Sequence, residues 1–265
     1  MMKHTAAAVF VAVLLTAGCP TGFAADNGRM ESIETGRGSI RYAAWWIPAE
    51  NARRTVVLLP GGAGGFGYDA EQNQPRSTNF LVRSREYFVR AGCNILIAGK
   101  PDDVADLSFS YRITPEHVAD IRRVVMQARE LGGNLPVWLV GNSRGTISAT
   151  AAAIAYPDQV DGLVLTAGVV NRGKSGSIQS QAIARLRMPV LVVHHRHDAC
   201  PECSPADVRY VMSGLSNAVA RKLILLDGSD GATGPPCEAL HHHGFIGIEA
   251  ETVAIITDWM SNPAN

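Results

Sequence analysis

One pentapeptide in the chain has the residue types for nucleophilic chemistry: Gly141 to Gly145 spells G-N-S-R-G. The apolar run 136–140 before it is typical of a short buried strand, and the small-residue run 147–155 after it is typical of a helix. At such a strand-to-helix turn a serine hydroxyl stands above the sheet edge, over a helix N-terminus. The glycines are expected because side chains there would collide with the adjacent strand or helix. Ser143 is therefore a candidate nucleophile; the alternative interpretation is a tight turn with an idle serine.

Activation of that serine needs a base to take its proton and a carboxylate to orient the base. In an open parallel sheet, functional groups gather at the carboxyl ends of the strands. Asp198 follows the predicted strand 189–194, and the loop after the predicted strand 221–227 ends in three histidines. The order Ser143, Asp198, His243 is the one expected when nucleophile, acid and base come from successive strand ends.

Both partners have alternatives. Gly244 permits a tight turn that would swing His243 over the sheet edge, which favours His243 among the three histidines. Any histidine titrates near neutrality, so its neighbours could also serve. The alternatives are His241 and His242 for the base, and Asp227 and Asp230 for the acid.

The elements that would position these residues alternate along the chain. Runs 31–35 and 39–47 alternate polar and apolar residues around Gly36-Arg37-Gly38, which predicts a β-hairpin. Later strands are continuously apolar, which indicates a mostly parallel sheet covered on both faces. We predict one doubly wound α/β domain over 26–265, with about eight strands and helices on both faces. Predicted strands after the hairpin are 55–59, 94–98, 136–140, 160–166, 189–194 and 221–227; predicted helices are 84–91, 115–131, 147–155, 178–186, 205–215 and 248–260.

The N-terminus predicts export. After a basic start, 5–17 is apolar and 22–25 is small, which is typical of a secretory signal peptide over 1–25. The apolar stretch is too short to span a bilayer. Alternatively, 15–19 is similar to a bacterial lipobox, in which Cys19 would carry a lipid anchor. We expect a periplasmic or secreted protein.

Charge excludes two classes of partner. Without the leader the chain holds 23 basic and 24 acidic residues, so we expect no electrostatic binding to nucleic acid or anionic membranes. Later apolar runs fall short of the ~20 residues that cross a bilayer, so no stable membrane span is expected. The pattern predicts no metal and no cofactor, and it carries no signal for an oligomeric state.

Four cysteines follow the leader, an even number suited to an oxidising compartment. They are Cys93, Cys200, Cys203 and Cys237, and three pairings are possible. Cys93 opens an apolar strand and is expected to be a buried thiol.

The ordered set of motifs resembles the α/β-hydrolase fold superfamily across essentially all of the sequence after the leader. The resemblance is carried by the G-N-S-R-G turn, the Gly-rich turn 60–65, Asp198 and His243. It implies that Ser143 is the nucleophile, Asp198 the orienting acid and His243 the general base. A serine hydrolase acting on a small-molecule carboxylic ester is the expected activity.

The same resemblance implies an oxyanion hole made of backbone N–H groups. One would come from Arg144 and another from the turn at Gly61, Gly62 or Ala63. Pro60 stands where esterases and lipases often have histidine, so the choice of amide stays open. We expect the Arg144 side chain to be salt-bridged within the fold rather than to bind a substrate carboxylate.

The implied triad also selects a disulfide. If the Asp198 loop touches the His243 loop, Cys200 and Cys237 lie in neighbouring segments, and we predict that they are bonded. Such a bridge would contribute about 3–4 kcal/mol in the chain-entropy model. The competing pairing is Cys200 with Cys203.

The connection between the predicted strands 160–166 and 189–194 is too short for a large cap domain. An open site suits small or surface-exposed esters.

Three rival functions remain. His195, His197 and Asp198 are similar to the H-x-H-x-D-H zinc motif of metallohydrolases, although the aspartate comes one place early and no histidine follows it. Cys200 and Cys203 have the C-x-x-C spacing of thiol-disulfide oxidoreductases, although about five strands precede them. The third rival is a catalytically inactive binding protein on the hydrolase fold.

Overall fold

The computed structural model describes residues 28–264. The predicted signal peptide 1–25 and the alternative lipid anchor at Cys19 lie outside this range.

An eight-stranded sheet forms the centre of the molecule, in the order β1-β2-β6-β3-β7-β8-β9-β10. β2 runs antiparallel to both of its neighbours, and the other neighbouring pairs are parallel. β4 and β5 form a separate antiparallel pair. The strands are β1 Arg29–Glu34, β2 Arg41–Ile47, β3 Arg54–Leu59, β4 Tyr68–Asp69, β5 Gln74–Pro75, β6 Cys93–Pro101, β7 Val137–Asn142, β8 Gly162–Thr166, β9 Val190–His195 and β10 Arg221–Leu226. The predicted mostly parallel sheet of about eight strands is confirmed.

Helices cover both faces of this sheet. α3, α4 and α5 pack on one face, and α1, α2 and α6 pack on the other. The helices are α1 Phe80–Arg83, α2 Arg85–Arg90, α3 Pro115–Leu131, α4 Gly145–Ala155, α5 Val208–Gly214 and α6 Glu249–Ser261. Among the described residues, no helix combines the length and the apolar character needed to cross a bilayer.

β3 shows why the central strands are continuously apolar. Val57 and Leu59 belong to the core under α3 and α4, whereas Val56 and Leu58 belong to the core on the opposite face. Because side chains alternate between the faces of a strand, a strand buried on both faces needs apolar residues at every position.

α3 begins and ends where its sequence predicts. The Thr114 side chain accepts a hydrogen bond from the His117 N–H, and Pro115 occupies the first turn. Gly133 follows with φ +65°, a conformation that favours glycine after a helix.

The predicted helix 178–186 is wrong. The segment instead forms two 3₁₀ turns, Ile178–Ser180 and Ile183–Arg185. Gln181 between them is extended, and its side chain donates to the carbonyls of Ile147 and Gly176. These contacts hold the backbone out of a continuous helix. The connection 167–189 therefore carries no large cap.

Two other predicted helices have different boundaries. The region predicted as 84–91 begins earlier and is divided into α1 and α2, because the Asn79 side chain accepts from the Leu81 N–H and starts a helix there. The region 205–215 opens with the 3₁₀ turn Pro205–Asp207 before α5.

Candidate active site

The turn between β7 and α4 holds Ser143 in a strained backbone conformation. Its φ is +52°, in the left-handed region that residues other than glycine rarely adopt. The Ser143 N–H donates to the Thr166 carbonyl at the end of β8 at 3.0 Å, which fixes the turn to the neighbouring strand. Such strain persists only where surrounding structure enforces it, and it is commonest at functional sites.

Two glycines of the pentapeptide are required by close packing. A Cβ on Gly141 would lie 2.7 Å from the Thr146 Cα at the start of the helix. A Cβ on Gly145 would lie 1.9 Å from the Leu59 carbonyl oxygen at the end of β3. The collisions with helix and strand expected from the sequence are therefore confirmed.

The structure brings Asp198 and His243 together at the carboxyl end of the sheet. His243 Nδ1 donates to Asp198 Oδ2 at 2.9 Å, and the two side chains are 3% and 0% exposed. Asp198 Oδ1 accepts from the Cys200 N–H at 2.9 Å, so both carboxylate oxygens are engaged. Gly244 is required in this turn because a Cβ there would lie 1.8 Å from the Ala239 carbonyl oxygen. With Nδ1 donating, the imidazole retains Nε2 as its acceptor.

Ser143 and His243 line one cleft of about 190 Å³. Its other walls are the backbone of 61–65, the polar segment 77–79 and the segment 237–239. His243 Nε2 is buried and has no hydrogen-bond partner among the described residues, so the bond from the Ser143 hydroxyl is not formed in this state. Catalytic hydrogen bonds are often long without substrate and tighten when it binds.

Unpaired backbone amides flank the same serine. Within the described part of the chain, the N–H groups of Gly62, Ala63 and Arg144 donate no hydrogen bond. A Cβ on Gly61 would lie 2.8 Å from the Ser143 Cβ, so the Gly-rich turn packs directly against the serine. Arg144 occupies the N-cap position of α4. The amides at this end of a helix lack intrahelical acceptors, and the helix dipole is positive there. These amides are available to an anionic oxygen.

A buried arginine that the sequence does not identify holds this turn. Arg112 is 1% exposed and donates to the Pro60 and Gly62 carbonyls, both at 3.2 Å. It also donates to the Leu107 carbonyl and the Ser148 hydroxyl, both at 3.0 Å. Burial lowers its pKa to about 10, which leaves it charged at neutral pH. The residue lies in a short 3₁₀ turn, and nothing in its sequence context identifies this role.

His117 completes the buried group behind the turn. Its Nε2 lies 2.8 Å from the Ser148 hydroxyl that Arg112 also contacts. Burial, followed by the nearby Arg112 charge, lowers the His117 pKa to about 3. It is therefore neutral in the folded protein.

The Arg144 side chain is engaged within the fold, as expected. Its Nη1 lies 3.5 Å from the Asp106 carboxylate, and its guanidinium lies 4.9 Å from the Phe109 ring centroid. Lys174 Nζ lies 5.4 Å from the same ring centroid and forms an ion pair with the Glu202 carboxylate at 3.0 Å. Both positive charges on the Phe109 ring therefore have acidic neighbours.

Only one of the three consecutive histidines meets Asp198, and it is His243. His242 stacks on His195 with 4.5 Å between ring centroids, and its Nδ1 contacts a backbone carbonyl. His241 packs edge-on against His242 at 4.9 Å.

The alternative acids lie elsewhere. Asp227 accepts from His197 Nε2 at 3.1 Å and from the Gly228 N–H at 2.9 Å. In the part of the chain that the structure describes, neither Asp227 nor Asp230 forms a hydrogen bond or ion pair with His243.

The residues of the zinc alternative point to three different partners. His195 Nε2 contacts the Gly228 carbonyl, His197 contacts Asp227, and Asp198 contacts His243. The structure does not bring this set together as a metal site.

Cys200 and Cys237 form a disulfide, which is the predicted pairing and not the competing pairing of Cys200 with Cys203. Cys93 and Cys203 are buried free thiols. The bridge joins the segment after Asp198 to the segment before His243.

Comparison with protein families gives one partial match. A family model described as serine aminopeptidase, S33, matches residues 111–196. This range contains Ser143 and stops before Asp198 and His243. No curated protein gives a significant match.

Solved structures share the architecture at low identity. An esterase from Pyrococcus furiosus has a TM-score of 0.66 at 12% identity, over 89% of this chain and 92% of the esterase. A dienelactone hydrolase from Anabaena variabilis has a TM-score of 0.62 at 12% identity, over 91% of this chain and 100% of its own. An α/β serine hydrolase without a lid from Xanthomonas campestris has a TM-score of 0.58 at 15% identity, over 86% of this chain and 94% of its own. The family-model match and these neighbours support a general hydrolase.

Proposed function

We propose that this chain, a member of the α/β-hydrolase fold superfamily, is a serine hydrolase that cleaves carboxylic esters through an acyl-enzyme on Ser143. One observation carries the proposal. The His243 imidazole is held by Asp198 through Nδ1, its Nε2 has no hydrogen-bond partner among the described residues, and His243 lines the same cleft as the strained Ser143. A base with a fixed tautomer and a nucleophile at one cleft are the parts that acyl transfer needs.

The reaction follows from this geometry. His243 Nε2 takes the proton as the Ser143 hydroxyl attacks the substrate carbonyl, and Asp198 stabilises the imidazolium that forms. The N–H groups of Arg144 and of Gly62 or Ala63 bind the oxyanion of the tetrahedral intermediate, each worth about 3 kcal/mol. His243 then protonates the leaving alcohol, and water removes the acyl group by the same steps.

The cleft favours a short acyl group. It encloses about 190 Å³ and is lined by glycine backbone and by the polar side chains of 77–79. The short connection 167–189 leaves the cleft uncovered by a large cap. An esterase and a lidless serine hydrolase are among the structures that share this fold. We therefore favour small or surface-exposed esters over buried lipids.

A fluorophosphonate probe tests the nucleophile directly. We expect one label per chain, on the tryptic peptide 130–144 that contains Ser143. Ser143→Ala should lose the label, and Ser213→Ala, which changes a hydroxyl on α5, should keep it. Label that persists in Ser143→Ala would overturn the assignment.

Substrate series test the reaction class. Rates with p-nitrophenyl esters should fall as the acyl chain lengthens, and the esters should be cleaved faster than the corresponding p-nitroanilides. Full activity after treatment with a chelator is expected for the serine mechanism. Loss of activity that added zinc restores would favour the metallohydrolase instead.

We also propose that the protein is exported, on the basis of the signal-peptide pattern in 1–25. Expression of the full chain, followed by fractionation and N-terminal sequencing, should give a mature protein that begins near residue 25 or 26. A cell-associated product with acylated Cys19 would support the lipid-anchor alternative.

A further inference from the structure

A third cysteine lies next to the disulfide. The Sγ atoms of Cys200 and Cys203 and one ring nitrogen of His243 all lie within 4.8 Å of one another. Cys203 is fully buried and carries a free thiol, whereas Cys200 is bonded to Cys237. The acyl-transfer mechanism uses none of these sulfurs.

The backbone already suits a bond between Cys200 and Cys203. The Cys203 N–H donates to the Cys200 carbonyl at 3.0 Å, which closes a turn with Pro201 at its second position. The end Cα atoms of such a turn lie within about 7 Å, a range that overlaps the separation spanned by disulfides. Little backbone movement is therefore needed to change the partner of Cys200.

A carboxylate lies beside the bond that would break. Glu202 Oε2 is 3.4 Å from Cys200 Sγ and 3.3 Å from Cys237 Sγ. Its other oxygen pairs with Lys174 at 3.0 Å, which fixes the carboxylate. A Cys237 thiol released at this place would find an acceptor for its S–H in position.

We propose that Cys203 and Cys237 exchange as the partner of Cys200, and that the exchanged form presents Cys237 in the active-site cleft as a modification site for small electrophiles and disulfides. The Cys203 thiolate attacks Cys200 Sγ, the Cys200–Cys203 bond forms and the Cys200–Cys237 bond breaks. Cys237 leaves as a thiolate and takes up the proton that Cys203 released. One disulfide and one thiol exist before and after, so no oxidant or reductant is consumed.

The exchange moves the thiol from a buried position to the cleft. Cys203 is fully buried, whereas Cys237 is exposed and lines the cleft with Ser143 and His243. It also removes the covalent tie between the two catalytic loops. Modification at Cys237 therefore blocks the cleft beside the nucleophile.

The exchange should be slow at neutral pH. Burial raises the pKa of the Cys203 thiol well above its usual value, and the Asp198 and Glu202 charges raise it further, whereas a hydrogen bond with the Ser143 side chain opposes this shift without cancelling it. Because the thiolate is the attacking species, the rate should rise about tenfold per pH unit below that pKa.

Alkylation followed by peptide mapping tests the proposal. Native protein is incubated with iodoacetamide without reductant at several values between about pH 7 and 9, then digested with trypsin without reduction. The expected products are peptide 197–209 with an internal disulfide and peptide 223–265 with alkylated Cys237. The proposal would be overturned if all of the protein at every pH still gave peptide 197–209 cross-linked to peptide 223–265.

Two variants separate exchange from unfolding. Cys203→Ser lacks the attacking thiol, so its Cys237 labelling should fall at least about tenfold. Cys93→Ser should be labelled at Cys237 at the wild-type rate, and Cys93 in the wild type should stay unlabelled because it reports global opening. Equal Cys237 labelling in Cys203→Ser, or labelling of Cys93 in step with Cys237, would contradict exchange. This result does not depend on the esterase proposal, because the readout is covalent mapping.

Discussion

The two sides of Ser143 are held in place by different means. On the oxyanion side, the turn 60–65 is fixed by hydrogen bonds from the buried Arg112 to backbone carbonyls. On the acid–base side, two loops meet through the Asp198–His243 hydrogen bond and the Cys200–Cys237 disulfide.

The position of each side in the sheet accounts for the difference. The oxyanion turn follows β3, which has β6 and β7 as neighbours and is buried at every position. The histidine loop follows β10, an edge strand with one neighbour and several partly exposed residues. A loop at an edge has less surrounding structure to fix it, so a covalent tie compensates. Placement of catalytic groups thus comes from the core on one side and from a cross-link on the other.

The largest expected effect comes from removal of the base. His243→Gln should lower kcat by about 10⁵-fold or more, because nothing else takes the Ser143 proton. His242→Gln, which changes the adjacent ring stacked on His195, is the matched control and should stay within a few-fold of wild type. Steady-state rates with a short p-nitrophenyl ester measure both. Equal losses in the two variants would mean that the loop, not the His243 ring, carries the effect.

Loss of the acid should come next. Asp198→Asn keeps the size of the side chain but no longer stabilises the His243 imidazolium, so kcat should fall about 10⁴-fold. Asp227→Asn removes a carboxylate that contacts His197 instead and should leave kcat nearly unchanged. If Asp227→Asn were the more damaging change, the acid assignment would be wrong.

Arg112→Met should reveal how the oxyanion side is held. Without the donors to Pro60 and Gly62, the turn amides lose their fixed position, and a displaced donor costs about 10²-fold in kcat. KM should change less than kcat, because the oxyanion forms only in the transition state. Arg122→Met, at an exposed position on α3, is the control. A KM effect alone would mean that Arg112 does not act through the oxyanion turn.

Removal of the cross-link should affect stability more than chemistry. The double variant Cys200→Ala, Cys237→Ala should lose about 3–4 kcal/mol in the free energy of unfolding. Its kcat at low temperature should fall only a few-fold, because the Asp198–His243 hydrogen bond can still form. Urea unfolding and initial rates measure the two effects. Unchanged stability would show that the edge loop needs no covalent tie.

A smaller loss of stability should appear on both sides of Ser143 as the pH falls. His117 on the oxyanion side and His194 on the acid–base side have pKa values lowered by burial to about 3 and about 4. Unfolded histidines protonate near pH ~6.5, so between that pH and about 4 the unfolded state binds more protons. The contribution of these two histidines to the free energy of unfolding is therefore fully present above pH ~6.5. It decreases as the pH falls through this window.

Variants isolate this contribution. Urea unfolding of His117→Gln and His194→Gln should show a weaker dependence on pH across the window than the wild type. The slope is the readout, so a general loss of stability in either variant does not obscure it. Identical slopes in all three proteins would contradict neutral buried histidines.

The sequence predicts the local parts of this site well. Spacing and residue size, which act over a few positions, predict the strand before Ser143 and the helix after it. They also predict that Gly141 and Gly145 must be glycine. The position of Asp198 after a strand is local in the same sense, whereas Gly244 is required by packing against the Ala239 carbonyl rather than by a positive φ. The meeting of Asp198 with His243 was a prediction from the resemblance, and the structure places the two in contact.

The parts that the sequence did not predict depend on distant contacts. In the sequence Arg112 cannot be told from an ordinary surface arginine, because its hydrogen bonds to the Pro60 and Gly62 carbonyls depend on the fold. The predicted helix 178–186 fails at Gln181, whose side chain bonds the distant Ile147 carbonyl in α4 and the nearby Gly176 carbonyl. The nearness of Cys203 to the disulfide likewise appears only in three dimensions.

Trapping of the acyl-enzyme is the most direct test of Ser143 as the nucleophile. Protein mixed with p-nitrophenyl acetate and quenched with acid within the first turnovers should gain the mass of one acetyl group. Tryptic mapping should place that group on Ser143 in peptide 130–144, and Ser143→Ala should show no gain. An acetyl group on another residue, or turnover by Ser143→Ala at the wild-type rate, would contradict the account.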